Sequence, residues 1–185
     1  MMKKIHHPDI FKQGTRVLFL KGRYKDGLSV QRSVSRITHT PEDFNEALTE
    51  LCRLANEGER VYGSVDARNI RAAMKYFKQA MAEAEYKNDE SFWKLLHRRW
   101  DSALNQETSR VKTDRLWLFD CDDKGMADEL LTIIHMTCKE DHYTYHYKTK
   151  NGEHVICKGF PQTAIAHRPN LVAARMVNAY MLWAY

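Results

Sequence analysis

The stretch Asp114-Arg115-Leu116-Trp117-Leu118-Phe119-Asp120-Cys121-Asp122-Asp123 decides how the second half of this chain folds. Leu116 to Phe119 form a short apolar run bounded by charge on both sides, the pattern of a buried strand. Strand side chains repeat every second residue, so Asp120 and Asp122 are expected on one face of the sheet. Outward from this strand, Met126 to Lys139 carries helical spacing, with Leu130, Leu131, Ile134 and Cys138 on its apolar face. Tyr143 to Lys148 and His154 to Lys158 read as strands joined through Asn151-Gly152, a strong hairpin signal. A two-residue turn there pairs Lys150 with Glu153 and Thr149 with His154. Pro161 to Val177 is expected to contain a helix, and Asn178 to Tyr185 to close the sheet as a last strand. Strand, helix, hairpin, helix, strand is the split βαβ order of ferredoxin-like and RNA-recognition-type (RRM-like) sheets.

The first half reads as an αβ portion. Arg16 to Lys21 is a short buried strand, and Val30 to Ile37 alternates as a second with a basic surface. Thr40-Pro41-Glu42-Asp43 opens a helix with a hydroxyl cap, a proline at the first position and acids in the first turn. Arg60 to Val65 is a third strand. Helices follow over Asp66 to Tyr86, with Ile70, Met74, Phe77 and Met81 as the buried stripe, and from Ser91, with Phe92, Leu95, Leu96, Trp100 and Leu104 inward. The expected fold class is therefore α+β: an N-terminal αβ portion over residues 16–106 packed on an RRM-like sheet over 114–185, within one domain spanning 1–185.

Composition agrees with that size of core. The chain has 185 residues, 43% of them hydrophobic and 29% charged, which sets it apart from disordered and fibrous classes. No apolar run reaches the ~20 residues that cross a bilayer. The basic N-terminus is not followed by the apolar segment of a secretory signal, so a cytoplasmic protein without a membrane partner is expected. Cys52, Cys121, Cys138 and Cys157 contain no CxxC pair and read as buried thiols. Lys and Arg total 29 against 24 Asp and Glu, a net charge of +5 compatible with a nucleotide or nucleic-acid partner.

Two short motifs carry chemistry. Asp120 and Asp122 at a strand end repel each other unless a cation lies between them, and Mg²⁺ or Mn²⁺ with phosphate oxygens is a common solution. The alternative is that Asp123 caps the following helix while the other acids are solvated. His154, on the hairpin strand beside the aspartate strand, shares its face with Thr149, Tyr147 and Ile156. It is placed to contact a phosphate or to be an ordinary half-exposed histidine. Lys158 adds a cation on the same face.

Asp120-x-Asp122 at a strand end, followed about thirty residues later by Gly152-x-His154 on a hairpin strand, resembles the archaeo-eukaryotic primase (primase-polymerase) superfamily. Its palm is an RRM-like sheet bearing a DxD motif and then a small residue, any residue and histidine. The resemblance covers about residues 114–160. It implies a small stand-alone or degenerate member, of phage or plasmid type, acting in DNA replication as a nucleotidyltransferase on DNA or RNA. It implies Asp120 and Asp122 as ligands of Mg²⁺ or Mn²⁺, and His154 as the contact to the phosphates of a nucleoside triphosphate. Asp120, Asp122 and His154 are then the catalytic set, and Thr149, Lys158 and Lys112 accompany His154 at the nucleotide. The chain departs from the family in one respect: no Asp or Glu follows Glu153, so the third acid of the pattern is missing. A non-catalytic nucleotide- or nucleic-acid-binding protein on the same fold, or a protein-interaction or inhibitor module, are the alternatives.

Arg32 and Arg36 on one strand, with Arg110 and Arg115 ahead of the acidic strand, are the residues expected to grip a nucleic-acid backbone. Tyr143, Tyr145 and Tyr147 alternate as sheet cover, with base stacking as the alternative. His135, Cys138 and His142 match no common structural zinc spacing. Gly63-Ser64 lacks the nearby carboxylate pair of a nucleotidyltransferase turn, and Asp123-Lys124 stand where a dehalogenase-type nucleophile strand needs Gly-Thr.

Overall fold

The first strand, β1 (Arg16–Gly22), is buried on both faces: Val17, Leu18, Phe19 and Leu20 are each at most 1% exposed, as a continuous apolar run requires. The structure, a computed structural model, describes residues 14–22, 33–112, 115–138, 142–149, 151–176 and 180–183. The chain is mixed α and β, with two four-stranded antiparallel sheets. It divides into two compact units, Met1–Lys112 with Tyr180–Tyr185, and Thr113–Ala179.

In the first unit, β1 lies between β2 (Ser33–Thr38) and β3 (Glu59–Ser64), and β3 pairs on its other side with β8 (Tyr180–Trp183). Helix α1 (Pro41–Leu54) packs on β1 and β2 through Phe44, Ala47, Leu48 and Leu51. Its Thr40 cap is a reciprocal box: Asp43 N donates to Thr40 Oγ1 at 3.1 Å, and Thr40 N donates to Asp43 Oδ2 at 3.3 Å. Val17 and Phe19 meet Ala73 of α2 (Ile70–Tyr86) and Leu104 of α4 (Leu96–Leu104) in one core.

Two helices depart from their predicted course. α2 begins at Ile70 rather than Asp66, because the Asn69 side chain caps it by accepting from Ala72 N, while Asp66 is buried against Arg110. Its Met74, expected in the buried stripe, is 40% exposed; Ala73 and Ala84 are the buried positions. The next helix is broken at Leu95 into α3 (Glu90–Lys94) and α4, which turns Leu96 outward to 40% exposure.

In the second unit, the sheet order is β5-β6-β4-β7, with β4 (Leu116–Cys121), β5 (Thr144–Lys148), β6 (Glu153–Lys158) and the two-residue β7 (Arg175–Met176). Every neighbouring pair is antiparallel. Phe119 and Cys121 of β4 and Val155 and Cys157 of β6 form a core with Ala127, Leu130 and Ile134 of α5 (Met126–Thr137) and with Leu171 of α6 (Pro169–Ala174). By strand alternation, Leu118, Asp120, His154 and Ile156 face the other way. The strand expected to close this sheet from the C-terminal tail pairs instead with β3 of the first unit, and β7 takes the place beside β4. The thiols of Cys121 and Cys157 are buried, Cys52 and Cys138 are partly buried, and none of the four is in a disulfide. Among the described residues no helix is long and apolar enough to cross a membrane.

Candidate functional site

The β5–β6 hairpin sets the position of His154, and its register differs from the two-residue turn expected at Asn151-Gly152. Lys148 pairs with Glu153 and Tyr147 with His154, so residues 149–152 form the connection. Thr149 closes it: its N–H donates to Gly152 O at 2.8 Å, and its Oγ1 accepts from Gly152 N at 3.1 Å. The shift is by two residues, and an even slip leaves every side chain on its expected face. Thr149 is therefore a turn residue rather than the cross-strand partner of His154. Lys150 lies outside the described residues.

On the other side of β6, His154 pairs with Asp120. One rung of the sheet thus carries Tyr147, His154 and Asp120 in a row across β5, β6 and β4. His154 Nε2 is 3.1 Å from Asp120 Oδ1, and His154 Nδ1 is 2.7 Å from the Tyr147 hydroxyl. The Tyr147 ring meets the imidazole edge-on at 5.2 Å between centroids. With the imidazole neutral, both contacts are satisfied at once: Nε2–H donates to the carboxylate, and the phenol O–H donates to Nδ1. Burial pulls the His154 pKa below its ordinary value against the opposing influence of Asp120 and Asp122. The contact to Asp120 is accordingly a hydrogen bond from a neutral ring rather than an ion pair. The His154 side chain is 14% exposed and that of Asp120 38%, so the carboxylate is the open end of the row.

β4 ends at Cys121, and Asp122 lies just beyond it, exposed. Burial above all, and then the charges of Asp120, Glu153 and Asp122, pushes the Cys121 thiol up to about 11. Gly152 locks the hairpin turn onto it. A Cβ at residue 152 would lie 2.4 Å from Cys121 O and 2.8 Å from Asp122 Cα, closer than real Cβ atoms approach. Asp123 does not take the capping role open to it in the sequence: α5 has Gly125 as its N-cap, at φ 83°, with no side-chain cap.

The other predicted residues are dispersed. Lys158 pairs with Leu116 at the far end of β6, roughly 13 Å along the strand from His154 at ~3.3 Å per residue. Arg115, partly buried, directly precedes β4. Lys112 is exposed and belongs to the first unit, as do Arg36 and Arg110. Arg36 is engaged by Glu50, its Nε donating at 2.9 Å. Arg110 is buried, with Asp66 at 3.8 Å and Glu107 at 3.6 Å. Arg32 lies outside the described residues. Among the described residues no three His, Cys, Asp or Glu side chains are grouped to hold a metal, so His135, Cys138 and His142 do not form a zinc site there.

Sequence reasoning missed the role of Tyr147, which it treated as sheet cover, and the close approach of Gly152. The alternation of Tyr143, Tyr145 and Tyr147 was the available signal for the first. No protein-family model matches the chain, and no curated protein matches it either.

Proposed function

We propose that this chain binds a nucleoside triphosphate with a divalent metal ion at Asp120, Asp122 and His154, and that it is a primase-polymerase-like nucleotidyltransferase acting on a nucleic-acid template. The observation that carries the reading is the interlock of its two short motifs. Gly152 fits against the end of the aspartate strand where no side chain fits, and two residues later His154 reaches Asp120. The small residue that opens the small-x-histidine pattern beside DxD is thus a packing requirement here as well as a sequence pattern. The antiparallel order β5-β6-β4-β7, with helices after its first and third strands in sequence, supports the RRM-like reading of the sheet.

Two carboxylates are a sufficient protein anchor for such an ion, although no third His, Cys, Asp or Glu joins them among the described residues. Asp120 and Asp122 offer hard carboxylate oxygens on an accessible strand end, and Mg²⁺ is commonly held by one or two carboxylates with waters and substrate phosphates completing its shell. A bound divalent ion supplies neutralisation of the charge that builds on the triphosphate. Asp120 and Asp122 would hold that ion. His154, held by Tyr147 through Nδ1, gives its one Nε2–H to Asp120 in this structure and would pass that hydrogen bond to a phosphate oxygen once the carboxylate turns to the ion. Thr149 and Gly152 hold the turn that keeps His154 against β4.

A second reading, nucleotide binding without transfer, is favoured by a specific observation. β7, the later strand beside β4, places Arg175 opposite Phe119 and Met176 opposite Leu118 and supplies no carboxylate. Calorimetric titration of ATP and GTP, with and without Mn²⁺, into wild type and an Asp120→Ala/Asp122→Ala variant tests the shared site. The expected result is metal-dependent binding lost in a variant that keeps its circular dichroism. Binding absent in wild type, or indifferent to the substitutions, overturns the site. Extension of a labelled primer on a template then separates transfer from binding alone.

A further inference from the structure

The first two and a half turns of α2 carry three cations and no acid. Arg71, Lys75 and Lys78 are all exposed, and residues 70–82 contain no Asp or Glu. At about 100° per residue the three fall within an arc of roughly 60°, spread over about 10 Å of helix axis. Among the described residues no hydrogen bond or ion pair engages any of them, in contrast to Arg36 and Arg110. Together with Ile70, Met74 and Gln79 they line an open groove of about 590 Å³.

The placement runs against helix stability. The N-terminal end of a helix is its positive end and favours acids, yet the first turn of α2 has none and carries Arg71. Met74 likewise takes an inward-predicted position yet stands 40% exposed between the cations. Only Arg71 lies at that positive end, but the three unpaired cations repel one another along the stripe, and a polyanion relieves that repulsion. A stripe ~10 Å long reaches more than one phosphate of a nucleic-acid backbone, and exposed apolar surface beside the cations suits unpaired bases.

We propose that this face of α2 is a binding site for single-stranded nucleic acid, with Arg71, Lys75 and Lys78 on backbone phosphates and Ile70 and Met74 against bases. The identity of the polyanion as a template strand rests on the nucleotidyl-transfer reading, whereas the groove lies in the other unit and is tested separately.

The test is fluorescence anisotropy of a labelled oligo-dT of about 20 nucleotides, without nucleotide, over a salt series. The stripe variant is Arg71→Glu/Lys75→Glu/Lys78→Glu. A charge-matched control, Arg53→Glu/Lys94→Glu/Arg98→Glu, alters three other exposed cations by the same net charge. The expected result is binding weakened about tenfold or more in the stripe variant only, with the log–log salt slope of an Arg71→Ala/Lys75→Ala/Lys78→Ala variant smaller by about 2. No binding by wild type, equal loss in both charge-reversal variants, or preference for duplex of the same length overturns the proposal. So does binding to anionic phospholipid vesicles in place of the oligonucleotide. Oligonucleotide binding lost in the stripe variant while ATP and GTP titrations show no binding in wild type leaves the groove standing and removes the nucleotide site; the reverse pattern does the opposite.

Discussion

The carbonyl oxygen of Cys121 leaves no room for a side chain at Gly152: a Cβ there would stand 2.4 Å from it. The constraint is steric, since Gly152 is not among the glycines with positive φ. Both contacting atoms belong to backbone at the end of β4 and just beyond it, so relief requires the turn or the aspartate strand end to move. Gly152→Ala is expected to lower stability by about 1–3 kcal/mol, the range for overpacking a tight site. Urea denaturation measures it. The same substitution should weaken Mn²⁺-dependent nucleotide binding, because Asp122 is one of the displaced residues. Unchanged stability with unchanged affinity would show that the turn yields freely, and the interlock would carry no weight.

His154 gives a pH dependence whose sign follows from burial. Its folded pKa lies below the ordinary histidine value, so the unfolded chain binds the proton more readily than the folded one. Its contribution to stability is therefore fully present above about pH 6.5 and is lost as pH falls through the lower folded value. Asp120→Asn removes the largest opposing influence and should lower the His154 pKa further. Tyr147→Phe removes the donor to Nδ1 and should raise it, because that donor favours the neutral ring. Histidine-selective NMR titration reads both shifts. Movement of either variant in the opposite direction would refute the assigned hydrogen-bond pattern.

The buried thiols offer a probe of the second unit that is independent of any ligand. Burial pushes Cys157 up to about 12 and Cys121 to about 11, so neither forms appreciable thiolate at pH 8. Iodoacetamide at that pH should label neither in the native protein and both in denaturant, as resolved by peptide mass analysis. Rapid native labelling of Cys121 would mean that the strand end bearing Asp120 and Asp122 opens readily.

Much of the fold was legible because its signals are local. The Thr40-Pro41 helix start, the apolar strand Val17–Leu20 and the strand–helix–hairpin order from Leu116 each rest on a few adjacent residues. What failed was what depends on partners elsewhere. The hairpin slipped by two residues because Thr149 closes a longer turn, and local turn chemistry outcompeted the Asn-Gly signal. The tail strand went to β3 of the other sheet, a choice that no pattern within residues 178–185 encodes. At the site, the sequence set His154 beside the aspartate strand, and its rung with Asp120 belongs to the β4–β6 register, which the β5–β6 slip does not touch. Tyr147 was passed over because alternating tyrosines look the same whether they cover a sheet or orient a histidine.

Arg110 shows the same limit from the other side, since in sequence it is one of several exposed-looking cations. In the structure its side chain is 5% exposed, and its charge is met by Asp66, itself 4% exposed, and by the exposed Glu107. Asp66 also serves Arg16, whose guanidinium burial pushes down to about 10 with Asp66 as the leading opposing influence. One carboxylate thus supports two buried cations, and the two partners of the pair should not be equivalent in mutation. Asp66→Asn removes the countercharge that both arginines share and should cost about 3–5 kcal/mol, as for breaking a buried pair. Arg110→Met leaves Asp66 with Arg16 and replaces the lost stem with apolar volume, so it should cost clearly less. Urea denaturation ranks them. Arg110→Met should also bind oligo-dT as wild type does, because a guanidinium buried against Asp66 is out of reach of a phosphate. Equal costs would break the shared-carboxylate account, and a loss of oligonucleotide binding in folded Arg110→Met would return Arg110 to the nucleic-acid surface.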